Sequence, residues 1–266
     1  MIFDSQGSLY GTNGSSGSSG GGNGTVFQLT PPVAGKTNWV ESTIYTFQGG
    51  TDGSTPAGAA LVQDGSGALY GTTEFGGSST SCQGHQGCGT VFKLTPPAQG
   101  QAAWTESVLY RFTGDADGAM PLTNLVLDSV GNLYGTTNLG GADGEGVMFE
   151  LSPTGGDQAG WSETVLHSFT GDPDGLWPVG NLIRESNGVL LVSARGGTGG
   201  LNGAIVQLTP STAGEVWREK VIYSFPSNGA GGTNPVGLLL DTSGDIFGAT
   251  ESGGAANFGT VFEVHP

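Results

Sequence analysis

The segment DSVGNLYGTTNLGG, from Asp128 to Gly141, decides the fold because it recurs along the chain. Nearly the same letters run from Asp64 to Gly77 (DGSGALYGTTEFGG) and from Asp241 to Gly254 (DTSGDIFGATESGG). More divergent forms begin at Asp4 and at Glu185, and the five leading acids are spaced 56 to 64 residues apart. Self-similarity at such a period indicates a tandem repeat in which each unit is one supersecondary structure.

Each repeat reads as four β-strands without a helix. The first is the apolar run before the acid (LVLD), and the second is LYGTT. The third resembles GTVFQL, and the fourth starts at Trp and ends aromatic, as in WTESVLYRF. A short Gly turn joins the first two strands as a hairpin. Because such a unit cannot bury its own faces, the pattern predicts an all-β fold, a β-propeller.

Five copies of the second and third strands predict a five-bladed propeller formed by a single domain, residues 1–266. The fourth strand occurs only four times, so the last blade is expected to be incomplete, either three-stranded or without its closing strand. The repeats of about 57 to 64 residues are placed at approximately 1–60, 61–124, 125–181, 182–237 and 238–266.

Several positions of the repeat have structural interpretations. We expect the Gly of LYGTT to permit close approach where strands crowd near the axis, and its Thr residues to favour the strand. At the double Gly, we expect the chain to leave the strand through a loop with unusual backbone dihedral angles. His167 occupies the position of a recurring Tyr, so we expect it to be structural. The same is expected of Trp39, Trp104, Trp161 and Trp217.

The composition restricts the partners. The chain carries 23 acidic and 7 basic residues, a formal net charge of −16, which disfavours nucleic acid and anionic membranes. It favours cations, calcium above all, although the acids could equally serve solubility alone. The loop CQGHQGC predicts a disulfide between Cys82 and Cys88 and an oxidising compartment; a metal pair with His85 is the alternative.

The sequence has no signal peptide and no apolar run long enough to span a membrane. Met1 falls inside the first strand of a repeat, which suggests a trimmed or partial chain whose leader is not present. The missing leader says little about destination, and the predicted disulfide leads us to expect a secreted or cell-surface protein. Its oligomeric state is left open, although an incomplete ring could close through another copy.

Two resemblances follow from these motifs. The pattern LYGTT…GG…GTVF.LTP, present in all five repeats, resembles the Gly-rich bacterial tandem-repeat family called GloVer repeats, which implies an extracytoplasmic protein. The segment Asn234 to Gly254 is similar to repeats of NHL and SMP-30/gluconolactonase-like propellers. The second resemblance implies a metal in the axial channel that polarises a carbonyl group and lowers the pKa of a bound water. No complete ligand set of that family is present here.

Candidate site residues lie in the loops expected on one face. Asp52, Asp117 and Asp174 share a position before the first strand, and the spacing Asp-x-Asp-Gly can open either a calcium loop or an ordinary turn. A second position, directly after LYGTT, varies in chemistry, which suggests either a functional site or solvated loop residues that form an Arg–Glu pair. It holds Glu74, Asn138, Arg195 and Glu251.

These residues suggest roles in a calcium-dependent hydrolase of a lactone or small ester. His85, Glu74 or Glu251 would act as base, while Arg195 would bind the oxyanion or a substrate carboxylate. Trp177, Asn138 and Arg195 would contact substrate. The candidate metal ligands are Glu74, Asn138, Asn181, Glu251, Asp117 and Asp174. Two alternatives remain: a non-catalytic module that binds a glycan or a protein, and a structural repeat of a longer surface protein.

Overall fold

The computed structural model describes residues 1–14, 22–56, 60–77, 81–82, 84–155, 160–196, 202–210 and 217–266. The chain divides into two compact units. The first comprises Met1–Thr113, Ala119–Asn132 and Ser152–Ser162, and the second comprises Gly114–Gly118, Leu133–Leu151 and Glu163–Pro266. Within the described residues the structure is almost entirely β, with one short 3-10 turn at Gly50–Asp52. In the described part of the chain, no helix is long and apolar enough to cross a lipid bilayer.

The first repeat forms one antiparallel sheet, the first sheet, with the strand order β1-β2-β3-β4. Its strands are β1 (Ile2–Phe3), β2 (Leu9–Asn13), β3 (Thr25–Thr30) and β4 (Val40–Thr46).

The second repeat forms the second sheet around one long strand, which pairs on one side with two short segments and on the other with a strand that pairs in turn with the last strand of the repeat. The strands are β5 (Ser54–Pro56), β6 (Val62–Gln63), β7 (Leu69–Phe75), β10 (Thr90–Thr95) and β11 (Thr105–Arg111). A two-stranded ribbon of β8 (Ser81–Cys82) and β9 (His85–Gln86) follows β7.

The third and fourth repeats each form a four-stranded sheet in sequence order. The third sheet contains β12 (Val126–Leu127), β13 (Leu133–Thr137), β14 (Val147–Pro153) and β15 (Trp161–Ser168). The fourth sheet contains β16 (Leu176–Arg184), β17 (Leu190–Arg195), β18 (Ala204–Thr209) and β19 (Arg218–Ser224).

The fifth repeat forms the last sheet, which has three strands in the part of the chain that the structure describes. They are β20 (Thr233–Leu240), β21 (Ile246–Ser252) and β22 (Val261–Val264). The all-β class and the antiparallel four-stranded sheets are thus confirmed. A closed ring of five blades remains a prediction.

In four of the five repeats the acid before the turn organises the hairpin between the first two strands, whereas in the fourth repeat Asn187 accepts the N–H of Val189. The carboxylate of Asp64 accepts the backbone N–H of Ser66 (2.8 Å) and of Ala68 (3.0 Å). Asp4, Asp128 and Asp241 accept the equivalent pairs of bonds. An aspartate that caps its own turn in this way satisfies donors that the turn would otherwise leave free, which explains why an acid recurs at this position.

Glycine is required in LYGTT for a more specific reason than the predicted crowding of strands near an axis. Gly71 pairs with Phe92 of the neighbouring strand, and a Cβ on Gly71 would lie 2.6 Å from Cζ of that ring. The same clash would occur at Gly11 with Phe27 and at Gly248 with Phe262. Glycine therefore leaves room for the phenylalanine of GTVF to lie across the adjacent strand.

The double Gly leaves the strand with positive φ, as expected, and it also binds the loop that precedes the same sheet. Gly76 and Gly77 have φ of 84° and 90°, and the N–H of Gly77 donates to the carbonyl of Gly50 at 2.7 Å. The equivalent bonds join Gly141 to Asp115 and Gly254 to Gly229. These backbone contacts hold two loops together at one end of the second, third and last sheets.

Candidate functional site

Four repeat-equivalent residues before a proline adopt the left-handed conformation that only Gly and Asn normally tolerate. Thr55, Met120, Trp177 and Asn234 have φ between 51° and 57°. Each donates its N–H to a carbonyl in the loop before the third strand of the preceding sheet, at 2.7 to 2.9 Å. Strained residues of this kind cost of order 1 kcal/mol and persist where the surroundings fix them. The structure thus presents side chains of four different chemistries from one fixed backbone position.

Trp177 is the largest of these side chains, and it lies in the second unit. It is 40% exposed, and its N–H donates to the carbonyl of Glu145. Leu176 pairs with Arg195, and Pro178 pairs with Ala194, so Trp177 sits in a bulge next to Arg195. An indole held in this way offers a preorganised apolar surface.

Arg195 and Glu251 form an ion pair at the ends of equivalent strands, β17 of the fourth sheet and β21 of the last sheet. Nη2 of Arg195 lies 2.5 Å from Oε1 of Glu251, and both side chains are more than a third exposed (36% and 39%). Nε of Arg195 is buried and has no partner among the described residues. Asn234 accepts the N–H of Gly196 at 3.4 Å beside the pair. The end of the fourth and last sheets therefore combines a guanidinium, a carboxylate, an amide and an indole, which we call the Arg195–Glu251 site.

Two of the predicted metal ligands, both in the second unit, have side-chain oxygens that already accept hydrogen bonds from protein groups. Oδ1 of Asn181 accepts the N–H of Leu238, and its Nδ2 donates to the carbonyl of Leu238 at 2.7 Å. Asp174 is buried and accepts bonds from His167 Nε2 (2.7 Å) and Thr170 Oγ1 (2.8 Å). Burial alone would raise the pKa of Asp174, but these bonds outweigh it and hold that pKa below its usual value. Both side chains carry structural bonds that sequence reasoning did not foresee.

The remaining predicted residues lie at separate places. Glu74 is in β7 of the first unit and is half-buried, whereas Asn138 directly follows β13 in the second unit. Asp117 is half-buried in the loop before the third sheet. The backbone of His85 lies in β9, and its side chain falls outside the described residues. The predicted disulfide between Cys82 and Cys88 is confirmed.

Sequence reasoning missed two glutamates at one position of the fourth strand. Oε1 of Glu106 and Oε1 of Glu163 are both buried without a hydrogen-bond partner among the described residues. Burial raises the pKa of each to about 7, and the nearby Asp52 and Asp117, respectively, add to this effect. A carboxyl group that holds its proton near neutral pH can exchange protons in catalysis, but it can also be purely structural. The signal available in the sequence was the recurring Trp-x-Glu.

One group in the described part of the second unit could hold a metal ion. Asp245, Glu263 and His265 lie on the last hairpin with their ligand atoms within 4.8 Å of one another. Nδ1 of His265 lies 2.6 Å from Oδ1 of Asp245, and this bond raises the pKa of His265. The group is largely exposed and contains none of the predicted ligands. The structure therefore supports a possible metal site without identifying a metal.

Solved structures of similar fold include the periplasmic gluconolactonase PpgL of Pseudomonas aeruginosa. It is 14% identical with a TM-score of 0.52, over 97% of this chain and 68% of that one. A candidate gluconolactonase from a structural genomics consortium is 14% identical with a TM-score of 0.50, over 98% of this chain and 72% of that one. At this identity the likeness shows the fold alone, and it supports the propeller class.

No curated protein sequence matches the chain. The family described as Gloeobacter/Verrucomicrobia repeat matches residues 1–262, which is nearly the whole chain and includes part of every one of the five repeats. The resemblance inferred from LYGTT…GG…GTVF.LTP is thereby confirmed. The chain belongs to the Gloeobacter/Verrucomicrobia repeat family.

Proposed function

We propose that this protein is an extracytoplasmic propeller that hydrolyses a lactone or small ester at the Arg195–Glu251 site. The observation that carries the proposal is the pairing of Arg195 with Glu251 at 2.5 Å. Both residues occupy the repeat position whose chemistry varies, and the fold places them side by side at a partly exposed strand end. The disulfide favours an oxidising compartment, and the similar PpgL is described as periplasmic.

The two side chains have complementary tasks in such a reaction. The guanidinium of Arg195 donates to the carbonyl oxygen and stabilises the negative charge that develops there. Glu251 takes a proton from a water molecule, whose oxygen attacks the carbonyl carbon. The ester C–O bond then breaks, and the proton passes from Glu251 to the departing alkoxide. Trp177 covers the apolar face of the substrate beside Arg195.

Calcium remains a proposal with a weaker structural basis. Of the predicted ligands, Asn181 and Asp174 already bind protein groups, so these two do not fit a calcium cage as they stand. Glu74, Asn138 and Asp117 remain candidates, and no step of the reaction is assigned to a metal. Thermal melting with calcium and with a chelator tests the proposal, because a ligand specific for the folded state raises the melting temperature. Equal melting curves would reject calcium binding.

The hydrolase proposal is tested by assaying sugar lactones and aryl esters with Glu251→Gln and Arg195→Ala. We expect kcat/KM to fall by about a hundredfold or more in each variant, as for loss of a general base or an oxyanion donor. Asp143→Asn, an exposed acid of the same unit, is the matched control and should retain full activity. Unchanged rates in both variants would remove the reaction from this site.

A second function, non-catalytic glycan binding, is favoured by one observation, the exposed indole of Trp177 in its fixed left-handed position. Glycan-array binding that is lost in Trp177→Asn would support it. Asn is the matched replacement because Asn234 adopts the same conformation at the same repeat position, so the backbone need not change. If Trp177→Asn keeps glycan binding, the indole is not the binding surface.

A further inference from the structure

The last sheet leaves apolar side chains more exposed than their equivalents in every other repeat. Val261 of β22 is 86% exposed, although its four repeat equivalents are completely buried. These are Val26, Val91, Met148 and Ile205, each 0% exposed. On the same sheet Leu239 is 72% exposed, and Phe247 is half-buried where Tyr10, Tyr70 and Tyr134 are buried. We call Leu239, Phe247 and Val261 the open last face.

The first sheet likewise exposes apolar side chains whose equivalents in other repeats are buried. Leu9, Phe27 and Leu29 are partly exposed, whereas their equivalents in the second, third and fourth repeats are completely buried. These equivalents are Leu69, Phe92 and Leu94, then Leu133, Phe149 and Leu151, then Leu190, Val206 and Leu208. Trp39 is 45% exposed, while Trp104, Trp161 and Trp217 are partly buried. We call Leu9, Phe27, Leu29 and Trp39 the open first face.

Two pairs of adjacent sheets show how such faces fit. In the first unit, Val26 and Phe47 of one repeat pack in one cluster with Leu69, Phe92 and Leu94 of the next. The rings of Phe47 and Phe92 meet edge to face at 5.1 Å. In the second unit, Ile205 and Phe225 pack with Ile246 and Val264, and Phe225 meets Phe262 at 5.0 Å. The residues that face forward in one repeat thus contact the residues that face backward in the next.

The recurring Trp takes part in the same contact. Trp104 packs against Tyr10 of the preceding repeat at 6.0 Å, and Trp217 packs against Tyr134 at 6.1 Å. Phe247 occupies the position of those tyrosines in the last sheet, and Trp39 is the corresponding Trp of the first sheet. The chain therefore displays both halves of a contact that it uses repeatedly inside each unit.

We propose that the open last face binds the open first face of a second copy of this chain. Leu9, Phe27 and Leu29 of one copy would cover Val261 and Leu239 of the other, and Trp39 would lie against Phe247. The occupant is a second copy because the chain itself supplies the matching residues at matching repeat positions. Such a contact joins unlike surfaces, so it is heterologous and generates a ring or a filament rather than a symmetric pair.

The charge of the protein predicts how this association depends on salt. Each copy has a formal net charge of −16, so two copies repel one another at low ionic strength. The contact itself is apolar and is not screened. Association should therefore become tighter as salt is added.

The experiment measures molecular mass by sedimentation over a wide range of protein concentration, with three variants of the full chain. Val261→Glu places a charge on the open last face, and Trp39→Glu places one on the open first face. Because both positions are exposed, both variants should fold, which circular dichroism and melting can verify. Val130→Glu, at a hairpin position that is 75% exposed, is the matched control.

We expect the unmodified chain and Val130→Glu to assemble as concentration rises, and each face variant alone to associate about tenfold more weakly or worse. Mixed together, Val261→Glu and Trp39→Glu should form a one-to-one complex and nothing larger, because each supplies the face that the other lacks. A monomer at all concentrations would overturn the proposal, since the faces are then covered within one chain or by another partner. Assembly that is unaffected by both face variants would overturn it as well.

Discussion

His167 holds the buried carboxylate of Asp174 at 2.7 Å, at the repeat position where Tyr45 holds Asp52 at the same distance. An imidazole and a phenol thus make the same contact to the loop before the next sheet. The predicted structural role of His167 follows from this geometry. The acid of the Asp-Gly turn is bound by its own loop as well, through Thr170 in one repeat and the N–H of Gln48 in the other.

Replacing Asp174 should destabilise the folded protein. We expect Asp174→Asn to lower the free energy of unfolding by about 2 kcal/mol, because a buried acceptor of several bonds is lost. Asp172→Asn, exposed in the same loop, is the control and should change little. Urea denaturation measures both. Because its folded pKa lies below the ordinary 3.8, Asp174 contributes stability above pH 3.8 that is lost as the pH falls through the folded pKa. Equal costs for the two variants would contradict the assignment.

Glu106 and Glu163 should make stability depend on pH in the opposite direction. In the folded chain they keep their protons up to about pH 7, whereas the unfolded chain releases them near 4.5. The folded state then binds more protons within this window, so stability falls as the pH rises from 4.5 to 7. The double variant Glu106→Gln/Glu163→Gln should flatten this slope.

At pH 8 the same double variant should also be more stable, by about 1 kcal/mol per site after allowance for solvent screening. Glu41→Gln, at the exposed equivalent position, is the control and should keep the slope of the parent protein. Melting temperatures recorded across this pH range provide the measurement. A slope that survives the double variant would place its origin in other groups.

The ion pair of Arg195 and Glu251 should stabilise the fold only weakly. Both partners are more than a third exposed, so a double-mutant cycle with Arg195→Ala and Glu251→Ala should give a coupling of about 0.5 kcal/mol. Added salt should reduce it further. A coupling of several kcal/mol, measured by denaturation, would mean that the pair serves structure rather than function.

Gly71 should not accept a side chain. Its Cβ would lie 2.6 Å from Phe92 and 2.8 Å from Leu61, so Gly71→Ala should cost about 2 kcal/mol through overpacking. Gly65 has open space around its Cβ position, and Gly65→Ala is the control. Phe92→Leu in the Gly71→Ala background should recover part of the loss. Without such recovery, the Phe92 ring would not be the source of the clash.

Local features of the chain predicted much of the fold. The recurring LYGTT and GTVF motifs, the acid before each turn and the Gly at each hairpin are short-range signals, and they predicted the strands and their order within each sheet. The disulfide followed from two Cys residues in one loop. These inferences hold because strand pairing and turn geometry depend on residues that are close in sequence.

The amino-acid sequence by itself thus determined the repeats, the strand order and the turn chemistry. Only the tertiary structure decided which Glu of the Trp-x-Glu position is buried, that Trp177 is held with positive φ, and that Asn181 binds Leu238 instead of remaining free. It also paired Arg195 with Glu251, which are far apart in sequence, and left Val261 open while its equivalents are covered. Identical residues in successive repeats have different surroundings, because burial and charge pairing depend on the neighbouring sheet. The sequence of a single repeat does not encode that neighbour.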